Sequence, residues 1–209
     1  MEIEARNTGY TKFESKIMQK LLRYPLVAVT IHWTFQSLFY MDPTERRFKL
    51  MLDVVPTVTG GVLLSRWLPW KFAWVAAFLV AHTINFLFNG QLWGALKFYG
   101  FVNNTYEAFE NYTQSMAERI KAESSIGYAA VYGSRTRSEW KSSSDLDLRL
   151  VRRPGWRNGL RACVFVLIER ARALFLGFPL DIYVLDDFDS LARLRPDELP
   201  MVLLTRRNK

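Results

Sequence analysis

The residues best equipped for chemistry lie in two short stretches. In Val131-Tyr132-Gly133-Ser134-Arg135-Thr136-Arg137 a Gly-Ser turn follows an apolar run, and ten intervening residues later Ser144-Asp145-Leu146-Asp147-Leu148-Arg149-Leu150 sets two carboxylates at i and i+2. Residues two apart in an extended chain project from one face. Asp145, Asp147 and Arg149 therefore share a face, and the alternating leucines take the opposite, core-facing one. Side-by-side carboxylates supply the hard oxygen ligands that Mg²⁺ takes. Two such ions about 3.5–4 Å apart stabilise the attacking and leaving oxygens of a displacement at phosphorus. Gly133 lets the backbone approach a phosphate, and the Ser134 hydroxyl with adjacent N–H groups can bind its oxygens. Arg135 or Arg137 can neutralise a triphosphate. A third acid, Asp181, lies in the strand-like run Pro179-Leu-Asp-Ile-Tyr-Val-Leu185. From a neighbouring strand it would complete the site and accept a nucleophile's proton.

These residues need a scaffold, and the periodicity outlines one. Tyr106, Phe109, Met116 and Ile120 recur at helical spacing over 105–123, with Asn104 or Thr105 able to cap the helix. Gly127–Tyr132 is a buried strand, 135–141 a short helix or loop, Leu146–Leu150 a strand, 157–177 a long apolar helix and Leu180–Leu185 a third strand. The expected order is helix, strand, helix, strand, helix, strand.

Gly133-Ser134-Arg135-Thr136-Arg137 followed by Ser144-Asp145-Leu146-Asp147-Leu148 resembles the signature of the nucleotidyltransferase superfamily related to DNA polymerase beta. It is most similar to the minimal prokaryotic nucleotidyltransferases, over roughly residues 105–187. The resemblance implies an α/β fold, a small mixed sheet with helices. It also implies that Asp145, Asp147 and Asp181 bind metal and carry catalysis, and that Gly133 and Ser134 hold a nucleoside triphosphate. The implied cofactor is Mg²⁺, two ions, with Mn²⁺ as the alternative. Asp181 is preferred to Asp186, Asp187 and Asp189 because it follows a proline inside an apolar run. One departure is Arg149, where the family carries an apolar residue. It would engage a phosphorylated or acidic acceptor, or pair with Asp147 or Asp181 and balance charge.

The first half of the chain reads differently. Half of the 209 residues are hydrophobic and 15% are aromatic, concentrated in 24–41, 53–68 and 72–101, whereas 102–209 alternates as a globular domain does. Residues 1–101 are therefore read as an all-α, membrane-associated region and 102–209 as the nucleotidyltransferase domain. Phe13, Ile17, Leu21 and Leu22 mark a short amphipathic helix in 1–23. Residues 24–41, opening on Pro25, are marginal for a span of about 20 residues and would lie at the interface or pack, partly buried, against neighbours. The runs 54–68 and 72–88 would form a membrane hairpin within 53–90, its tip at Trp67-Leu68-Pro69-Trp70, since indole rings favour the headgroup level. Asp42–Arg47 is read as a turn ending the first apolar unit. Basic Arg46, Arg47, Lys49 and Lys97 flank the hairpin, which places both ends and the catalytic domain on the cytoplasmic side. His82, Asn85 and Asn89 form a polar stripe at i, i+3 and i+7, and His32 with Gln36 a pair at i, i+4. Such groups serve either hydrogen bonding between helices or a functional cavity.

The remaining composition narrows the function. The formal charge of +8 suits a phosphate-bearing substrate or an anionic membrane. A lone Cys163 in an apolar run excludes an intrachain disulfide and reads as a small core residue. The two histidines lack metal-ligand spacing, and a signal peptide is not expected because apolar sequence begins only near Tyr24. Asn103-Asn104-Thr105 and Asn111-Tyr112-Thr113 fit the glycosylation pattern but would be silent in the cytoplasm. No basic, aromatic-interleaved segment points to a nucleic-acid template. The expected reaction moves a nucleoside monophosphate from a triphosphate to a hydroxyl or phosphate acceptor, a lipid-linked, glycan-related or protein substrate at the inner membrane face. The alternatives are a nucleotide-binding regulatory or antitoxin-like module and an inactive membrane scaffold.

Overall fold

The computed structural model describes residues 24–89, 92–193 and 199–206. The helix expected in 1–23 lies outside them. Helix α1 (Pro25–Phe35) carries Pro25 in its first turn and stops where Gln36 and Ser37 turn left-handed, with φ of 45° and 60°. A 3-10 turn, Leu38–Tyr40, follows. The stretch 24–41 is thus a helix and a bent turn, not one continuous interfacial helix.

Helices α2 (Pro43–Leu64) and α3 (Trp70–Asn89) form the hairpin. Their antiparallel pairing is set by small residues. A Cβ on Gly61 would come within 2.7 Å of the Trp74 ring, and one on Gly60 within 3.3 Å of Ala77. Ala73, Ala77 and Ala81 are buried in the same seam, the close-packing device of helices that lack bulky interlocking side chains. The helix α2 begins at Pro43, earlier than the apolar run suggested, because Asp42 and Glu45 are partners of the sheet rather than members of a solvated turn. Among the described helices, α3 has the length and hydropathy to cross a membrane. Helix α2, with its charged first turns, does not meet the same measure.

Helix α4 (Leu92–Leu96) and a 3-10 turn, Lys97–Tyr99, lead to α5 (Tyr106–Ala122). Thr105 caps α5, its Oγ1 accepting from Ala108 N at 3.1 Å. Next come β1 (Ile126–Tyr132), a 3-10 turn Gly133–Arg135, β2 (Leu146–Arg152), α6 (Trp156–Leu176), β3 (Leu180–Leu185), a 3-10 turn Asp189–Arg193 and β4 (Met201–Thr205). Of the short helix or loop expected over 135–141, the chain takes the loop after the 3-10 turn, with Ser138 at φ 58°. Strand β4 was not expected. Its signal was the short run Met201-Val-Leu-Leu-Thr after Pro200.

Among the described residues the fold is mixed α/β, with six helices and one four-stranded mixed sheet in the order β3-β2-β1-β4. Strand β1 runs antiparallel to β2 and β4, whereas β2 and β3 are parallel. Leu146, Leu148 and Leu150 are fully buried, as their alternation required. They meet Phe109, Met116 and Ile120 of α5 and Ala162, Cys163 and Val166 of α6. Both helices therefore cover one face, and the opposite face is left for Asp147 and Arg149. The outer edge of β3 is closed by α2, with Val184 N donating to Glu45 Oε2 at 2.6 Å and Asp186 N donating to Asp42 Oδ2 at 2.8 Å. Carboxylates thus satisfy an edge that would otherwise offer unpaired N–H groups.

Candidate active site

The parallel register of β2 and β3 sets Asp147 directly opposite Asp181. Asp145 stands immediately before β2 and two residues from Asp147, so the three expected acids gather at the start of the β2–β3 pair. On the other side Tyr132 pairs with Asp147, which delivers the β1 exit turn onto the same carboxylate. Gly133 adopts φ 80°, and a Cβ there would lie 2.0 Å from Asp147 Oδ2. The glycine is required by the carboxylate's own approach as well as by backbone conformation. Beside it, Ser134 Oγ is buried and makes no hydrogen bond.

Arg149 resolves in favour of Asp181. Its Nη2 donates to Asp181 Oδ2 at 3.0 Å and its Nη1 to Asp181 O at 3.1 Å, while the guanidinium stacks 4.9 Å from the Tyr183 ring centroid. The expected phosphate-neutralising arginines are held elsewhere. Arg135 Nη2 pairs with Glu110 of α5 at 2.6 Å, and Arg137 Nε with Glu139 at 2.9 Å. The cations that contact the site carboxylates are Arg149 and Lys97, whose Nζ forms an ion pair with Asp145 Oδ2.

These charges divide the acids. Burial pushes the Asp147 carboxyl well above the ordinary carboxylate range, and Asp145 and Asp181 push it further, against Arg149 and Lys97. Burial would also raise Asp181, but Arg149, a hydrogen bond with Asp147 and the Lys97 charge outweigh it and hold Asp181 below that range. The two carboxyls are hydrogen-bonded, and their opposed shifts make Asp147 the better proton holder of the pair. His32 of α1 is part of the same surroundings. Burial lowers its imidazole below the usual value, with Asp181 opposing and Lys97 assisting.

The sequence pattern did not mark Lys97 or His32 as site residues. Lys97 read as a flanking charge at the end of an apolar run, and His32 as a partner of Gln36. Gln36 in fact turns to α3, where its Nε2 donates to His82 O at 3.0 Å. The polar stripe of α3 bonds to α2 in the same way. His82 Nδ1 lies 2.9 Å from Asp53 Oδ2, Asn85 Nδ2 donates to Asp53 Oδ1 at 2.8 Å, and Lys49 Nζ donates to Asn89 O at 2.7 Å. Arg170 of α6 completes the chain, its Nη1 donating to Asn89 Oδ1 at 2.6 Å and its Nη2 pairing with Glu45 at 2.7 Å.

Three carboxylates at the start of the β2–β3 pair suit a hard divalent cation in donor chemistry, and the Lys97 ammonium is paired with one of them. As oriented, no three acidic, imidazole or thiol groups among the described residues enclose a metal ion. Asp145 is turned to Lys97 and Asp181 to Arg149. No protein-family model matches the chain, and no curated protein matches it.

Proposed function

We propose that this protein is a metal-dependent nucleotidyltransferase. It would transfer a nucleoside monophosphate from a nucleoside triphosphate to an acceptor hydroxyl or phosphate. The observation that carries this reading is the convergence of Asp147 with Asp181 across β2 and β3, with Gly133 packed on Asp147. In the reaction the acceptor oxygen bonds to the α-phosphorus, the bond to the bridging oxygen breaks, and pyrophosphate leaves. Asp145, Asp147 and Asp181 would hold Mg²⁺ or Mn²⁺, which supplies charge stabilisation at the phosphate oxygens. Ser134 Oγ, buried and unpartnered, is available to a phosphate oxygen. Asp181, kept ionised by Arg149, can take the acceptor's proton.

Incubation with each α-labelled triphosphate, Mg²⁺ and a membrane extract is expected to give label transfer and pyrophosphate release, both lost in Asp145→Asn/Asp147→Asn. Absence of both products with every triphosphate would sink the enzyme reading. A nucleotide-binding regulatory or antitoxin-like module is the second reading, favoured by the ion pairs that occupy Asp145 and Asp181. Nucleotide binding without pyrophosphate release would select it.

We further infer that the α2–α3 hairpin crosses a membrane and holds the catalytic domain at its cytoplasmic face. Val54, Val55, Val58 and Val62 of α2 and Phe72, Val75 and Val80 of α3 are exposed, as are Trp67 and Trp70 at the tip. Arg66 lies twenty residues beyond Arg46 in one helix-and-turn segment, about 30 Å at 1.5 Å per residue, which matches a hydrocarbon core of about 30 Å. The Asp53–His82–Asn85 layer between these basic collars is internally bonded, as polar groups at such depth must be. Between α2 and α6 an apolar groove of about 710 Å³, bordered by Arg47 and Arg152, opens beside the hairpin. It supports a lipid-linked acceptor over a glycan-related or protein one. Extraction of the protein without detergent would overturn the membrane reading.

A further inference from the structure

We infer that Lys97 is a tethered cation that occupies the metal position at Asp145, so that a divalent ion enters this site only by displacing the lysine's ammonium group. The inference rests on the reading of Asp145, Asp147 and Asp181 as metal ligands. Three observations carry it. Lys97 Nζ is ion-paired with Asp145 Oδ2, with the two side chains only 15% and 19% exposed. Three acids gather where β2 and β3 begin, yet as oriented no three of them enclose an ion. The other outer carboxylate, Asp181, is already satisfied by Arg149. Two cations, Lys97 and Arg149, thus pair with carboxylates that would otherwise repel one another.

The geometry also shows how the lysine is presented and how it can leave. Lys97 opens the 3-10 turn that follows α4. Helix α4 is anchored to the catalytic domain by Trp93 Nε1, which donates to Leu174 O at 2.8 Å. The backbone is thus held, while a flexible four-carbon stem carries a compact, strongly hydrated charge. Rotation about that stem frees Asp145 without moving the turn. Arg149 cannot leave as easily, because its fork bonds Asp181 twice and stacks on Tyr183. Lys97 is accordingly a residue that sets metal affinity, and the first ion to load is the one that replaces it.

Mn²⁺ binding by the detergent-solubilised full chain, followed by electron paramagnetic resonance, tests this directly. Lys97→Met keeps the apolar stem and removes the charge, and it should bind Mn²⁺ on the order of tenfold more tightly than the unmodified chain. Lys97→Arg, which keeps the charge, should not. In the unmodified protein, amine acylation at Lys97 read by mass spectrometry should rise when Mn²⁺ is added, because the ammonium is released. Equal affinities, or labelling unchanged by a bound ion, would overturn the displacement. Absence of Mn²⁺ binding in all three proteins would remove the metal-site reading itself, and the displacement with it.

Discussion

Asp147 and Asp181 face each other with opposite tendencies, and their pH behaviour follows. A carboxyl raised in the folded state holds its proton where the unfolded chain has lost it. The stability it contributes is therefore present at low pH and declines as pH rises from about 3.8 through the raised value. Asp181, lowered by Arg149, contributes stability above 3.8 that is lost as pH falls through its folded value. In chelator, Asp147→Asn should melt higher than the unmodified protein at neutral pH and show a flatter profile as pH rises above about 3.8. A variant that melts lower throughout would contradict the raised carboxyl. Gly133 offers a second test at this scale. Gly133→Ala must accept φ 80° and drive a methyl into Asp147 Oδ2, so it should cost about 1–3 kcal/mol in thermal or denaturant unfolding. It should also abolish pyrophosphate release. Retention of full activity would show that Asp147 need not sit where it does.

Among the elements, the join of α2 to the sheet is the most consequential. Glu45 and Arg170 are 1% and 4% exposed and paired at 2.7 Å, and Glu45 also takes the Val184 N–H on the β3 edge. Removing one member of a buried pair leaves the other uncompensated, which costs about 3–5 kcal/mol. Glu45→Ala should lose about that much in denaturant unfolding. Combining Glu45→Leu with Arg170→Met should recover only part of it, because Val184 N then has no acceptor. A loss below about 1 kcal/mol in the single variant would mean that the edge is satisfied by other groups. This join matters to the site because β3 carries Asp181. Any slip of β3 against β2 would separate the facing acids, and α2 is what holds the outer side of β3 in place.

At the scale of the whole molecule, the hairpin and the sheet-bearing part of the chain are joined by one polar network. It runs from Gln36 through His82, Asp53, Asn85 and Lys49 to Asn89, Arg170 and Glu45. Membrane insertion and site geometry are therefore mechanically connected under the proposed reading. The orientation can be checked with cysteines. Cys163 is buried, and burial pushes its thiol up to about 12, so it contributes little background labelling at neutral pH. In intact cells, Leu68→Cys at the tip should react with a membrane-impermeant maleimide, whereas Ser142→Cys should react only after permeabilisation. The reverse pattern, or equal reactivity, would overturn the two-crossing hairpin.

Much of this was legible in the chain. Period-two leucines assigned Asp145, Asp147 and Arg149 to the face opposite the core, and alternation is a local property that a strand preserves wherever it sits. The capping Thr105 and the strands around Asp147 and Asp181 are local in the same sense. The partners of charged residues were not legible, because pairing depends on which strands lie side by side. Arg149 chose Asp181 only once β2 and β3 became parallel neighbours. Arg135 was drawn to Glu110 by the packing of α5. Lys97 met Asp145 across 48 residues, and His32 of α1 came within electrostatic reach of Asp181. Sequence spacing places a side chain on a face; the tertiary contacts decide which charge it faces, since Coulombic and hydrogen-bonding energies fall off over a few ångströms and ignore distance along the chain.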